Sequence, residues 1–155
     1  SRFSNMMNVE LRSVEKKDWE FILHLRNQED VRLACHDTSI IDDETHLKYM
    51  QKMVADKEKN HWIITYNKKD VGYIKIVNLE FGSMLLNDYR GKGIGKQAYA
   101  LVFKEAKKLG LTKLTAQVKI NRETSLEFEM KTGWVKKGII YKNNKPYAFS
   151  LEKSL

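Results

Sequence analysis

The segment Tyr89-Arg90-Gly91-Lys92-Gly93-Ile94-Gly95-Lys96 constrains this chain more than any other stretch. A strand-like run, Glu80 to Leu86, leads into it, and an amphipathic helical pattern (Ala98, Leu101, Val102, Ala106, Leu109) leads out. Glycine permits positive φ and close backbone approach. The first turn of the helix leaves N–H groups unpaired, with the macrodipole behind them. Arg90, Lys92 and Lys96 add charge, so the segment is suited to cradle a pyrophosphate. Spacing excludes two other phosphate cradles. A P-loop needs Gly-Lys followed by Ser or Thr, and Gly95-Lys96 is followed by Gln97. A dinucleotide fold needs G-x-G-x-x-G and an acid further on; here the spacing is G-x-G-x-G and residues 111–116 hold no acid.

The charge distribution supports an anionic partner. Of 28 basic and 20 acidic residues, the stretch Tyr89–Arg122 holds Arg90, Lys92, Lys96, Lys104, Lys107, Lys108, Lys113, Lys119 and Arg122 against a single acid, Glu105. The rest of the chain is balanced, so the positive field is local and suits a phosphorylated cofactor or a nucleic acid. No aromatic-interleaved RNA motif or recognition-helix pattern accompanies it, and no nucleic-acid partner is expected. The length of 155 residues suits one domain over 1–155. Residues 1–5, ahead of Met6, read as a cloning scar. Cys35 is the sole cysteine, so an intramolecular disulfide is excluded and no metal site is expected. The longest apolar run, Ala98–Phe103, is too short for a membrane span, and no signal-peptide pattern opens the chain. A cytoplasmic monomer or homodimer is the expectation.

Periodicity gives the order of elements. Strands are expected at residues 8–14, 61–66, 71–77, 80–86, 114–120, 134–141 and 147–152, and helices at 17–27, 30–35, 44–55, 93–109 and 122–131. Asp42 or Asp43 is placed to cap the 44–55 helix, whose inner side is read as Leu47, Met50, Met53 and Val54. With the short 30–35 segment left out, the order is β-α-α-β-β-β-α-β-α-β-β. This is an α/β (α+β) fold, a mixed and mostly antiparallel sheet of six to seven strands flanked by about four helices.

Arg90-Gly91-Lys92-Gly93-Ile94-Gly95 matches the R/Q-x-x-G-x-G/A signature of the GNAT acetyltransferases, and the chain resembles that family over roughly residues 60 to 140. Ser83-Met84-Leu85-Leu86-Asn87 looks like the family's fourth strand, and Val118-Lys119-Ile120-Asn121 like the end of its fifth. Ser125, Phe128 and Gly133-Trp134 resemble its next helix and closing Gly-aromatic pair. The resemblance implies an N-acetyltransferase that uses acetyl-CoA, lying between splayed fourth and fifth strands. The backbone of Met84, Leu85 and Leu86 would pair with the pantetheine and polarise the thioester. Residues Arg90 to Lys96 would hold the pyrophosphate, with Asn121, Arg122, Ser125 and Phe128 on the other side.

The same resemblance exposes a departure. Many family members carry a tyrosine in the helix after the fifth strand, which protonates the leaving thiolate. Alignment back from Gly133 puts Glu129 there; alignment forward from Asn121 puts Phe128 there. The acid is left open between Tyr141, Tyr147 and His46, or is dispensable because a CoA thiol leaves readily. A base has a clear purpose: an alkylammonium of pKa about 10.4 is neutral in only ~1 molecule in 2,500 at pH 7, a deficit of roughly 4.6 kcal/mol. Glu80, at the start of the fourth strand, is the candidate.

The acceptor is suggested by Leu25-Arg26-Asn27, Asp30-Val31-Arg32, Ile40-Ile41 and His46-Leu47. This pattern resembles GNAT enzymes that acetylate nucleotide-linked 4-amino sugars, with Leu25 where they carry tryptophan. It implies Arg26, Asn27, Arg32 and His46 as acceptor-binding residues, arginine suiting a diphosphate through its fork of donors. Enzymes that acetylate ribosomal proteins are a neighbouring resemblance, and a non-catalytic acyl-CoA-binding module is the reading from another class.

Overall fold

The computed structural model describes residues 8–56 and 59–155, so the segment read as a cloning scar lies outside the described residues. In chain order the elements are β1 (Val9–Ser13), α1 (Trp19–Asn27), α2 (Glu29–Ala34), α3 (Asp43–Ala55), β2 (Lys59–Tyr66) and β3 (Lys69–Val77). Then follow β4 (Glu80–Leu85), α4 (Ile94–Lys108), β5 (Lys113–Lys119), α5 (Glu123–Lys131), β6 (Val135–Lys142) and β7 (Lys145–Ser154). The expected class holds; the short helix expected over 30–35 forms as Glu29–Ala34, so three helices separate β1 from β2 where the abbreviated order counted two.

The strands form one seven-stranded sheet in the order β1-β2-β3-β4-β5-β7-β6. Neighbours are antiparallel except β4 and β5, which run parallel. Three hairpins turn on residue pairs with positive φ: Asn67-Lys68, Asn78-Leu79 and Asn143-Asn144. Asparagine tolerates the left-handed region that such two-residue turns require. Leu79, at φ 70, does not belong there by residue type, and its carbonyl accepts the Thr115 N–H at 2.9 Å. That bond fixes the start of β4 against β5.

Apolar side chains divide between the two faces of the sheet. On one, α4 buries Ile94, Ala98, Val102 and Ala106 against Ile64, Ile74, Ile76, Phe81, Leu114, Ala116 and Leu151. On the other, Ile22 and Leu25 of α1 and Met50 of α3 close over Ile63 and Tyr73, with Met84 and Leu86 at the margin. Asp42 is the cap of α3, its side chain accepting the Thr45 N–H at 2.7 Å. The inner stripe of α3 is His46, Met50 and Met53, spaced i, i+4, i+7. Leu47 and Val54, expected inside, lie one stripe round and are 43% and 63% exposed. Leu109 is also outside, at 49%, because α4 stops at Lys108.

Candidate active site

Glu80 and Thr115 form the register pair between β4 and β5, at the beginning of β4. Beyond it no further pairing joins the two strands among the described residues, while β4 keeps its register with β3 from Glu80 to Leu85. β5 likewise stays paired with β7 from Lys113 to Lys119. Each strand is held by its outer neighbour, so the two part like a wedge toward Leu85 and Lys119. The inner backbone edge of β4 is thereby freed from β5, with the Leu85 carbonyl taken by the Gln28 and Arg90 side chains and the Leu86 N–H by the Val71 carbonyl at 2.8 Å.

The glycine loop stands at the open end of the wedge. A short 3₁₀ turn, Asn87–Tyr89, leads into it, and Gly91 (φ 71) and Gly93 (φ 83) both take left-handed backbone. Gly93 is the N-cap of α4 and no side chain caps the helix, which leaves its first N–H groups for an anion. Ile94 is fully buried and anchors that first turn. Gly95 approaches α5 so closely that a Cβ there would meet the Phe128 ring at 3.2 Å. Lys92 lies over the Tyr89 ring at 5.7 Å, and Lys96 is exposed.

Helix α2 closes over this end. Asp30 is ion-paired with Arg90, whose Nη2 also donates to the Leu85 carbonyl at 3.0 Å. Arg122, at the N-terminus of α5, donates to the Asp30 carbonyl at 3.3 Å. Gln28 donates to the Leu85 carbonyl and accepts the Asn87 N–H, both at 3.0 Å. Glu29, Asp30, Leu33, Asn87 and Arg122 line a cleft of about 290 Å³ between α2 and the strand ends. Arg90 and Arg122 both contact Asp30, the first through its carboxylate and the second through its carbonyl. Asn121 is exposed and Ser125 half-buried beside them. Gln28 and Asp30 were not anticipated; a polar pair at the head of a very short helix is their only sequence signal.

The residues expected to bind the acceptor fasten a loop. Arg26 donates to the carbonyls of Asp37 (2.6 Å) and Ser39 (3.3 Å), and Arg32 to those of Asn27 (3.2 Å) and Thr38 (3.0 Å). Asn27 exchanges two 2.9 Å bonds with the Ile41 backbone. His46 is buried, its Nε2 2.6 Å from the Trp19 carbonyl oxygen. Arg26, Asn27 and Arg32 hold the segment 37–41, while His46 ties α3 to the start of α1. The preceding residue, His36, bridges Tyr147 (2.9 Å) and Gln117 (2.8 Å), tying that segment to β5 and β7.

Glu80 is exposed at the closed end of the wedge. By strand alternation it shares the α1–α3 face with Met84, and register aligns it with Thr115 and, through Thr115, with Glu152 of β7. Tyr141 is 62% exposed on the edge strand β6, separated from β5 by β7.

On the opposite face lies a buried polar chain. The Ser83 hydroxyl is 2.8 Å from the Tyr99 hydroxyl, which donates to Oε1 of Glu129 at 2.8 Å. Burial pushes the Glu129 carboxyl up to about 7 and raises the Tyr99 phenol well above its usual range. No His, Cys, Asp or Glu cluster suited to a metal ion occurs among the described residues. No described helix is long and apolar enough to cross a membrane.

Residues 8–135 match the family model of the acetyltransferase (GNAT) domain. Among solved structures, the fold is similar to spermidine N-acetyltransferase from Vibrio cholerae, determined with CoA and spermine (TM-score 0.83, 16% identity, 94% of this chain and 95% of that one). It is also similar to a ribosomal-protein-alanine N-acetyltransferase from Brucella melitensis (TM-score 0.78, 18% identity, 94% and 99% covered). A domain from Methanocaldococcus jannaschii aligns at TM-score 0.83 and 20% identity, over 97% of this chain and 100% of that one. No curated protein matches the sequence.

Proposed function

Since the chain belongs to the GNAT acetyltransferase family, we propose that this N-acetyltransferase takes its acetyl group from acetyl-CoA at the β4–β5 wedge and passes it to a primary amine carried on an anionic molecule. A nucleotide-linked amino sugar is the acceptor class that fits best. The parting of β4 from β5 in front of an uncapped, glycine-led helix is the observation that carries the donor site. Gly91 to Lys96 would hold the pyrophosphate, with Arg90 and Arg122 supplying charge-assisted donors. The edge of β4 that faces the wedge at Leu85 would pair with the pantetheine. Fixed backbone donors at the thioester oxygen would stabilise charge as it develops there.

The case for an anionic acceptor is electrostatic. The net charge of +8 and the lysines around β5 and β7 favour anions and repel free polyamines. Lys119 and Lys142 flank the Tyr147 ring at 5.8 and 5.0 Å, beside the segment that Arg26, Asn27 and Arg32 fasten. In this reading those three residues and His46 build the acceptor wall. Glu80, on the same face, accepts the ammonium proton directly or through water.

A second reading rests on the row Glu80–Thr115–Glu152. Two carboxylates two strands apart, roughly 10 Å by sheet spacing, suit a cationic amine such as a polyamine or a peptide N-terminus. Competition assays decide between them: CoA-thiol release with UDP-linked 4-amino sugars, spermidine and amine-bearing peptides. Preference for the nucleotide sugars supports the first reading; preference for spermidine or peptides replaces it with the second.

A further inference from the structure

Lys75 of β3 stands in register with Gly82 of β4, and a Cβ at Gly82 would meet Lys75 Cε at 3.3 Å and Cγ at 3.7 Å. The lysine stem therefore lies across β4 at the one position where that strand carries no side chain. Strand alternation puts Gly82 on the α1–α3 face, between Glu80 and Met84. By Gly82 the strand has already left β5, because the register pair of the two is Glu80 with Thr115. A lysine that starts on the neighbouring strand thus lies on the freed length of β4.

The ammonium ends at α3, where it donates to the Tyr49 hydroxyl at 2.8 Å and lies 5.3 Å from the centre of that ring. Tyr49 is 38% exposed, so the pair opens to solvent. Among the described residues no carboxylate is ion-paired with Lys75, whereas Lys59, Lys68, Lys108 and Lys113 each have one. The field of this cation is therefore left uncompensated. His61, opposite Lys75 on β2, adds no second charge at neutral pH, because burial and then the Lys75 charge hold its imidazole below the usual range. The acid of β4, Glu80, is two positions from Gly82 on the same face, about 7 Å by strand rise.

We propose that Lys75 sets the charge of the acceptor: its ammonium, held over Gly82 on the α1–α3 face of β4, admits an amine carried on an anionic molecule and turns polycations away. The inference rests on the reading of this face as the acceptor side of the wedge. Attraction to a diphosphate raises the local concentration of the anionic acceptor, and repulsion of a second ammonium group lowers that of a polyamine. The same positive field weakens the hold of the reacting nitrogen on its proton, so more of the bound amine is neutral. Gly82 belongs to the device, since any Cβ there displaces the stem that carries the charge.

Lys75→Met removes the charge and keeps an apolar stem over Gly82, while Lys75→Arg keeps the charge. Calorimetric titration of the CoA-saturated protein with UDP and with spermidine compares the two ligand charges without turnover, and the bound CoA keeps UDP out of the donor cradle. Lys75→Met should weaken UDP about tenfold and tighten spermidine by a similar factor, and Lys75→Arg should restore the order of the parent. In steady state the same ratio should move through KM for a UDP-linked 4-amino sugar against spermidine, with the acetyl-CoA KM unchanged. Equal loss of both ligands in Lys75→Met, a ratio within about twofold of the parent, or a parent that binds neither ligand overturns the proposal. Failure of the functional reading is separate. A parent that prefers spermidine removes the anionic acceptor, and one that releases no thiol removes the transfer, while the ratio of binding constants still reports on Lys75.

Discussion

Asp30, in the first turn of α2, is ion-paired with Arg90 of the glycine loop, so a carboxylate of the chain itself neutralises one arm of the anion cradle. The pair is partly exposed, 29% and 36%. An incoming pyrophosphate competes with Asp30 for the same guanidinium. Asp30→Ala is expected to lower the acetyl-CoA KM about threefold, in line with a partly exposed ion pair. Arg90→Ala is expected to raise it about tenfold. Initial-rate measurements at low and high salt check both, and the two effects should shrink together as salt rises.

Gly93 caps α4 at φ 83. Any Cβ there meets left-handed backbone strain of about 1–2 kcal/mol. Gly93→Val should therefore weaken acetyl-CoA binding, measured by calorimetry, with a smaller loss in melting temperature. Gly95→Ala acts differently, since its Cβ pushes on the Phe128 ring from 3.2 Å. It should disturb the α4–α5 contact and lower the melting temperature, read by thermal denaturation.

Arg12 joins β1 to two carboxylates, reaching Asp18 at 2.7 and 2.8 Å and Asp70 at 3.0 Å. Hydrogen bonding to Arg12 holds the Asp18 carboxyl below its usual range, against the opposing effect of burial. A depressed folded pKa stabilises the protein above the unfolded value, about 3.9, and that stability is lost as pH falls below it. Arg12→Ala should cost roughly 1.5–3 kcal/mol at neutral pH and flatten the acid limb of stability. Urea titrations at a series of pH values check the sign.

Met50 and Leu47 test the phase of α3. Met50 is fully buried, whereas Leu47 is 43% exposed. Met50→Ala should destabilise by about 2–5 kcal/mol and Leu47→Ala by no more than about 0.5 kcal/mol, read from denaturant midpoints.

The contrast between those two residues also shows where sequence reading stopped. In α3 two adjacent stripes carry apolar residues, and period alone cannot say which faces the sheet. His46 and Met50 won because Trp19 and Tyr73 offered them partners from other elements. The strand–glycine–helix unit was legible because its constraint is local: positive φ at Gly91 and Gly93 and an uncapped helix start follow from neighbouring residues. Arg26, Asn27 and Arg32 were read as acceptor ligands, but the carbonyls that occupy them lie in a loop whose course no periodicity records. Glu129 and Phe128 were a tie between two alignments. The fold separates them, with the carboxyl on Tyr99 and the Phe128 ring against Gly95.

Hydrogen exchange with and without acetyl-CoA tests the central claim most directly, because it reads backbone amides where the donor is placed. Added acetyl-CoA should slow exchange in the glycine loop and first turn of α4, residues 91–97, and at Leu85 on the edge of β4 that faces the wedge. Protection confined to other segments, or none at saturating acetyl-CoA, would contradict a donor site in the β4–β5 wedge.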